Sequence, residues 1–201
     1  MKQITFKQYR SFDVAALCLL TAVFEGLATY LAKAPQWAAQ PLAISLTLSM
    51  TCIALVRWSV LGVLPALCGS LAYCIASGGT PSQYLIYCLG SLLCLASVPL
   101  LKRIDKEKIR LSFTRRLLFI LLIHLLIGLG RWLVSLAFDP AISSVILFLL
   151  SPTDLFAVLF ATVILFIAKG LDGVLEDQKT YLLRVERERN DEKEFSQNDD
   201  F

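Results

Sequence analysis

Four ionisable residues fall inside stretches that are otherwise apolar: Glu25, His124, Arg131 and Asp154. Arg131 is the sharpest case. It sits in 117–138, LLFILLIHLLIGLGRWLVSLAF, which is long and apolar enough to cross a bilayer as a helix. A guanidinium at that position is expensive, so it marks a solute or ion pathway or a structural ion pair. His124 precedes it by seven residues, about two helical turns, and shares its face. Such a constellation suits the recognition of an anionic or strongly polar group; a single histidine rules out a paired-histidine metal site.

The elements that position these residues follow from the apolar runs. The chain has 201 residues, 57% of them hydrophobic, with a mean hydropathy of +0.68. Soluble domains lie lower, and the runs here approach twenty residues, so the fold class expected is all-α: a polytopic membrane protein built as a six-transmembrane-helix bundle. The spans are read at 12–32, 41–56, 60–77, 82–101, 117–138 and from the helix start at Ser151-Pro152-Thr153-Asp154 to 167. Arg57-Trp58-Ser59 is a tight turn between the second and third spans, and Gly78-Gly79-Thr80-Pro81 a turn between the third and fourth. The segment 141–150 is apolar but too short to cross; it reads as interfacial or re-entrant, or as a lid. The last span is expected to continue as a polar helix past Lys169, Asp172 and Glu176. Residues 1–177 thus form one membrane domain, followed by a charged cytoplasmic tail at 178–201 that frays.

The cations orient the bundle. Three precede the first span, Arg57 follows the second, seven lie between Lys102 and Arg116 and six follow the last span, whereas Lys33 alone lies in a loop of the opposite side. Positive residues stay inside, so both termini are expected in the cytoplasm, the membrane being a bacterial plasma membrane. Arg131 is then about 22 Å across, Glu25 about 20 Å, and Asp154 opens its helix from outside. Tyr84, Tyr87 and Trp132 fall near that level. Glu25, Tyr84, Arg131 and Asp154 are therefore the candidate substrate-binding residues, in a pocket open to the outside; the alternative is that Glu25 or Asp154 pairs with Arg131 to hold the bundle together. His124 lies deeper and reads as a satisfied core residue.

Several chemistries are excluded or unsupported. There is no P-loop, no HExxH and no GxSxG elbow. No enzyme activity, cofactor, metal or nucleic-acid partner is expected. The six cysteines all lie in apolar segments and read as small buried hydrophobes. No internal repeat of the self-sufficient transporter type is visible. On the first span, Ala15, Ala22 and Gly26 recur at helical spacing, with Ala22 and Gly26 a small-xxx-small pair; this face serves either internal packing or the docking of a partner.

The chain resembles the substrate-binding S components of energy-coupling factor transporters in its length, its spans, its cytoplasmic termini and the small residues of its first span, where Ala22 and Gly26 with Ala15 stand nearest to that family's alanine-xxx-alanine type motif. The resemblance implies capture of a vitamin-like micronutrient from the outer side. It also implies a transmembrane coupling subunit and two cytoplasmic ATPases as partners, and a ligand site where Glu25, Tyr84, Arg131 and Asp154 lie. The alternative is a scaffold resembling the bacterial cell-shape protein MreD, which has similar size and topology and needs no outward polar pocket.

Overall fold

The computed structural model describes residues 5–32, 45–103, 106–138 and 152–198. Among these there is no strand; the elements are α1 (Phe6–Ala32), α2 (Thr47–Trp58), α3 (Val63–Ser77), α4 (Pro81–Ser91), α5 (Ser97–Arg103), α6 (Lys106–Leu111), α7 (Phe113–Phe138), α8 (Pro152–Gly170) and α9 (Gln178–Asn198). Short 3₁₀ turns join α2 to α3 and α4 to α5. Four stretches are long and apolar enough to cross a membrane: Phe6–Ala32, Thr47–Ser77, Pro81–Leu101 and Phe113–Phe138. Their outer faces carry exposed Leu19, Leu27, Leu125, Leu129 and Leu133. An apolar surface that extensive is what a helix bundle presents to lipid, not to water.

The second of those stretches folds back on itself. Every residue of α2 from Thr47 to Val56 is buried, because its sequence is apolar or hydroxylic on all sides and has no solvent face to offer. At twelve residues it is only about 18 Å long. It lies inside the bundle, touching α1, α3, α7 and α8. The reversal into α3 falls at Ser59, whose φ of 53° is unusual for a residue with a side chain. Gly62 permits the tight return, since a Cβ there would strike the backbone of Leu55. Gly69 in turn leaves room for the Thr47 side chain at the other end of the hairpin. The turn expected at Arg57-Trp58-Ser59 is thus present.

Gly78 takes the left-handed conformation at the end of α3, with φ 71°. Thr80 then caps α4, accepting from the Gln83 backbone N–H while the Gln83 side chain accepts from Thr80, and Pro81 stands at the first helical position. Buried Ser70 and Ser91 bond across α3 and α4 at 2.8 Å. α4 crosses α7 at close range. A Cβ on Gly130 would overlap the Gly90 carbonyl, and a Cβ on Gly90 would strike the Arg131 backbone. This crossing fixes where Arg131 sits.

The C-terminal segment departs from the expected fraying tail. The polar continuation of α8 breaks at 171–177, where Gly173 has φ 71°, and a separate helix follows. Asp177 caps that helix by accepting from the backbone N–H groups of Lys179 and Thr180, at 3.1 and 3.4 Å. Buried Gln178 accepts from Tyr9 Oη at 3.2 Å and donates to the Gly173 carbonyl. The first turn of α9 is therefore tied to α1.

Candidate functional site

Two polar clusters lie at opposite ends of the bundle, and they differ in whether their hydrogen bonding is complete. The first gathers where α1, α2 and the 171–177 turn meet. Asp13 accepts from Arg57 Nη2 at 2.8 Å, from Arg57 Nε at 2.9 Å and from Trp58 Nε1 at 2.5 Å. Arg57 Nη1 donates to the carbonyls of Gly173 and Val174 at 3.3 and 3.4 Å. Phe6 and Tyr9 pack around the Trp58 ring. Nearby, Lys106 reaches Asp177 and Ser59, and Arg110 pairs with Glu176. Arg116, only 2% exposed, donates to the carbonyls of Ile109, Leu165 and Arg110. Charges satisfied this fully hold elements together and have nothing left to offer a ligand.

The second cluster begins with Glu25. The carboxylate points from α1 to the start of α2, where Leu46 occupies the cap position without a side-chain cap of its own. One oxygen, Glu25 Oε2, accepts from Ser45 Oγ at 3.0 Å, Leu46 N at 3.2 Å and Thr47 Oγ1 at 2.9 Å. A helix N-terminus leaves N–H groups unmatched and is electropositive, so a carboxylate from a neighbouring helix caps it well. These donors let Glu25 be buried to 8% exposure. Among the described residues it forms no ion pair with Arg131.

Arg131 is arranged differently. Its guanidinium carbon lies 4.6 Å from the centroid of the Tyr87 ring, and Tyr87 is backed by Tyr73 at 5.0 Å between centroids. Its Nε is the single buried side-chain polar atom, among the described residues, that lacks a hydrogen-bond partner. A buried donor left unmatched costs about 1–3 kcal/mol and calls for an acceptor. Arg131 also lines a partly open cavity of about 90 Å³, together with Ser45, Thr47, Leu48, His124, Ile127, Gly128 and Ala157. Two of these, Ser45 and Thr47, are the hydroxyl residues that Glu25 holds. The carboxylate therefore shapes from behind the cavity wall that Arg131 lines.

The expected residues separate accordingly. Arg131 lines the cavity, and Glu25 supports it through Ser45 and Thr47. Tyr84 is half-buried in the first turn of α4 and is not in the cavity wall; Tyr87, one turn on, makes the stack. The Asp154 side chain and the segment 141–150 lie outside the described residues. His124, read as a core residue, lines the same cavity as Arg131, as their shared face allows. Ser45 and Thr47 carried no signal in sequence, because hydroxyls at the mouth of an apolar run have no distinctive spacing.

The small residues of α1 differ in exposure. Ala15 is exposed, Ala22 and Gly26 are half-buried, and a Cβ on Gly26 would meet nothing within 4 Å. Among the described residues, packing thus does not require a small residue at 26. Comparison with family models, with curated proteins and with solved structures found no match for this chain.

Proposed function

We propose that this protein is the membrane-embedded solute-binding subunit of an uptake transporter of the energy-coupling factor type. The observation that carries the reading is Arg131, which lines a partly polar cavity and keeps a buried, unmatched Nε. An anionic group, such as a carboxylate, supplies the missing acceptor, while the hydroxyl protons of Ser45 and Thr47 stay with Glu25. The cavity holds a carboxylate or a small water cluster. A vitamin-sized solute, whose pocket runs to roughly 300 Å³ or more, would set only its charged end there.

The six-span reading treats α2 and α3 as a hairpin that enters and returns, and α8 as the last crossing. With the cations as they are distributed, both termini are then cytoplasmic in a bacterial plasma membrane, and the Arg131 cavity opens toward the outer side. The solute would enter from outside, and a transmembrane coupling subunit with two ATPases would drive its release. The small residues Ala15, Ala22 and Gly26 of α1, with open space beside Gly26 among the described residues, support docking of that subunit, because close helix approach needs small residues. The cell-shape scaffold reading lacks a comparable reason for an unmatched guanidinium beside a cavity.

The test is purification of the full chain, followed by denaturing release and mass spectrometry of whatever small molecule it retained. An anionic or carboxylate-bearing solute at near-stoichiometric amounts supports the reading; none, from cells grown in rich medium, counts against it. Gly26→Leu is expected to leave solute binding intact and to reduce co-purification of a coupling subunit at least tenfold. Unchanged co-purification removes the α1 face from the interface.

A further inference from the structure

A second cavity lies at the end of the bundle that carries the Asp13–Arg57 cluster. It measures about 400 Å³ and is lined by Arg103 from the end of α5, Lys108 and Ile109 from α6, and Arg115, Leu118, Phe119 and Leu122 from α7. Among the described residues no acidic side chain lines it, and Glu107 on α6 is not in its wall. The cations of this region whose side chains are described divide into two sets. Lys106, Arg110 and Arg116 are engaged within the protein. Arg103, Lys108 and Arg115 are exposed and line the cavity.

The wall has the layout of a phospholipid. Its three cations converge at the start of α7, where the apolar span begins. Arg115, Leu118, Phe119 and Leu122 then follow at helical spacing, a single stripe that runs from the charge about 10 Å along the span. Ile109 and Phe119 are buried, while Leu118 is 60% exposed among the described residues. A free anion would use the cations and leave the stripe bare; an acyl chain alone would leave the cations unmatched.

We propose that this cavity is a binding site for an anionic phospholipid, with the headgroup phosphate held by Arg103, Lys108 and Arg115 and an acyl chain laid along Leu118 and Leu122. The site is independent of the solute cavity and requires only that the bundle be in a membrane. Basic pockets between helices at the membrane edge favour anionic headgroups in just this way.

Native mass spectrometry of the full chain, titrated with phosphatidylglycerol or with phosphatidylcholine of the same acyl chains, tests it. Phosphatidylglycerol is expected to bind at least tenfold more tightly. The triple variant Arg103→Gln, Lys108→Gln, Arg115→Gln is expected to reduce that preference to twofold or less. A control triple, Lys7→Gln, Arg10→Gln, Lys179→Gln, removes as much charge elsewhere and is expected to retain it. Equal binding of the two lipids overturns the proposal, as does an equal loss in both triple variants, which would mean a general surface field. Displacement of the lipid by millimolar inorganic phosphate would also overturn it, because the site would then recognise phosphate alone. The single variant Lys108→Gln, on the exposed face of α6, is expected to lower the preference about fourfold and carries the test if the triple variant does not fold; an unchanged preference in it is then the contrary result.

Discussion

Asp13→Ala is expected to destabilise the protein by about 3 kcal/mol, read as a lowered midpoint of denaturant or thermal unfolding in detergent. Asp13 satisfies two nitrogens of Arg57 and the indole N–H of Trp58 together. Arg57 is only 10% exposed at its side chain, and without Asp13 its remaining contacts are two carbonyls at 3.3 and 3.4 Å. A largely desolvated guanidinium is then left without a counter-charge, which costs more than the pair contributes when intact. The double variant Asp13→Leu, Arg57→Met should therefore be less destabilised than Asp13→Ala alone, within about 1 kcal/mol of the native chain. Asp13→Asn retains an acceptor without the charge and should fall between. A native midpoint for Asp13→Ala would show that water reaches this cluster and that it does not fasten α1 to α2.

Glu25→Ala should cost a similar amount, about 3 kcal/mol, by a different route. It removes the acceptor for Ser45, Leu46 and Thr47 at once, leaving the N-terminus of a fully buried helix uncapped. Its consequence reaches the Arg131 cavity, because Ser45 and Thr47 are in that wall. Solute affinity should fall with stability, although Glu25 itself is not among the lining residues. Glu25→Gln separates positioning from contact. It preserves an oxygen that accepts, so stability should drop by only about half as much, and the solute selected should be the same at lower affinity. A change in which solute is preferred would instead show that Glu25 touches it.

Much of the helical architecture was legible because its causes are local. The Thr80-Pro81 cap with Gln83, the left-handed Gly78 and the reversal beside Arg57-Trp58-Ser59 each depend on a few adjacent residues. The shared face of Arg131 and His124 was legible too, since offset along a helix converts directly to rotation. The partner of Glu25 was not: charge and depth pointed to Arg131, but its nearest donors are a backbone N–H and two hydroxyls, which leave no pattern in sequence. Arg116 looked like one more cation of a basic loop, yet it is buried because three carbonyls converge on it from α6 and α8. The order of α9 rests on the Asp177 cap and on Gln178 reaching Tyr9 across 169 residues. Composition alone, dominated there by charge, pointed to fraying. His124 was ranked low for want of a neighbour at its depth; the face of α7 that it shares with Arg131 puts both in the wall of one cavity.

The most direct measurement is equilibrium binding of the co-purified solute to the native chain, to Arg131→Ala and to Arg131→Lys, with unfolding midpoints recorded in parallel. If the unmatched Nε beside Tyr87 is the anchor for an anionic group, Arg131→Ala should weaken binding by roughly a hundredfold, and Arg131→Lys, which lacks that nitrogen and the planar stack, should recover only a small part. Both variants should unfold at or above the native midpoint, since a buried unmatched donor has been removed. Native affinity in Arg131→Ala, or a collapse of its stability, would contradict the account and leave Arg131 as a structural residue of the bundle.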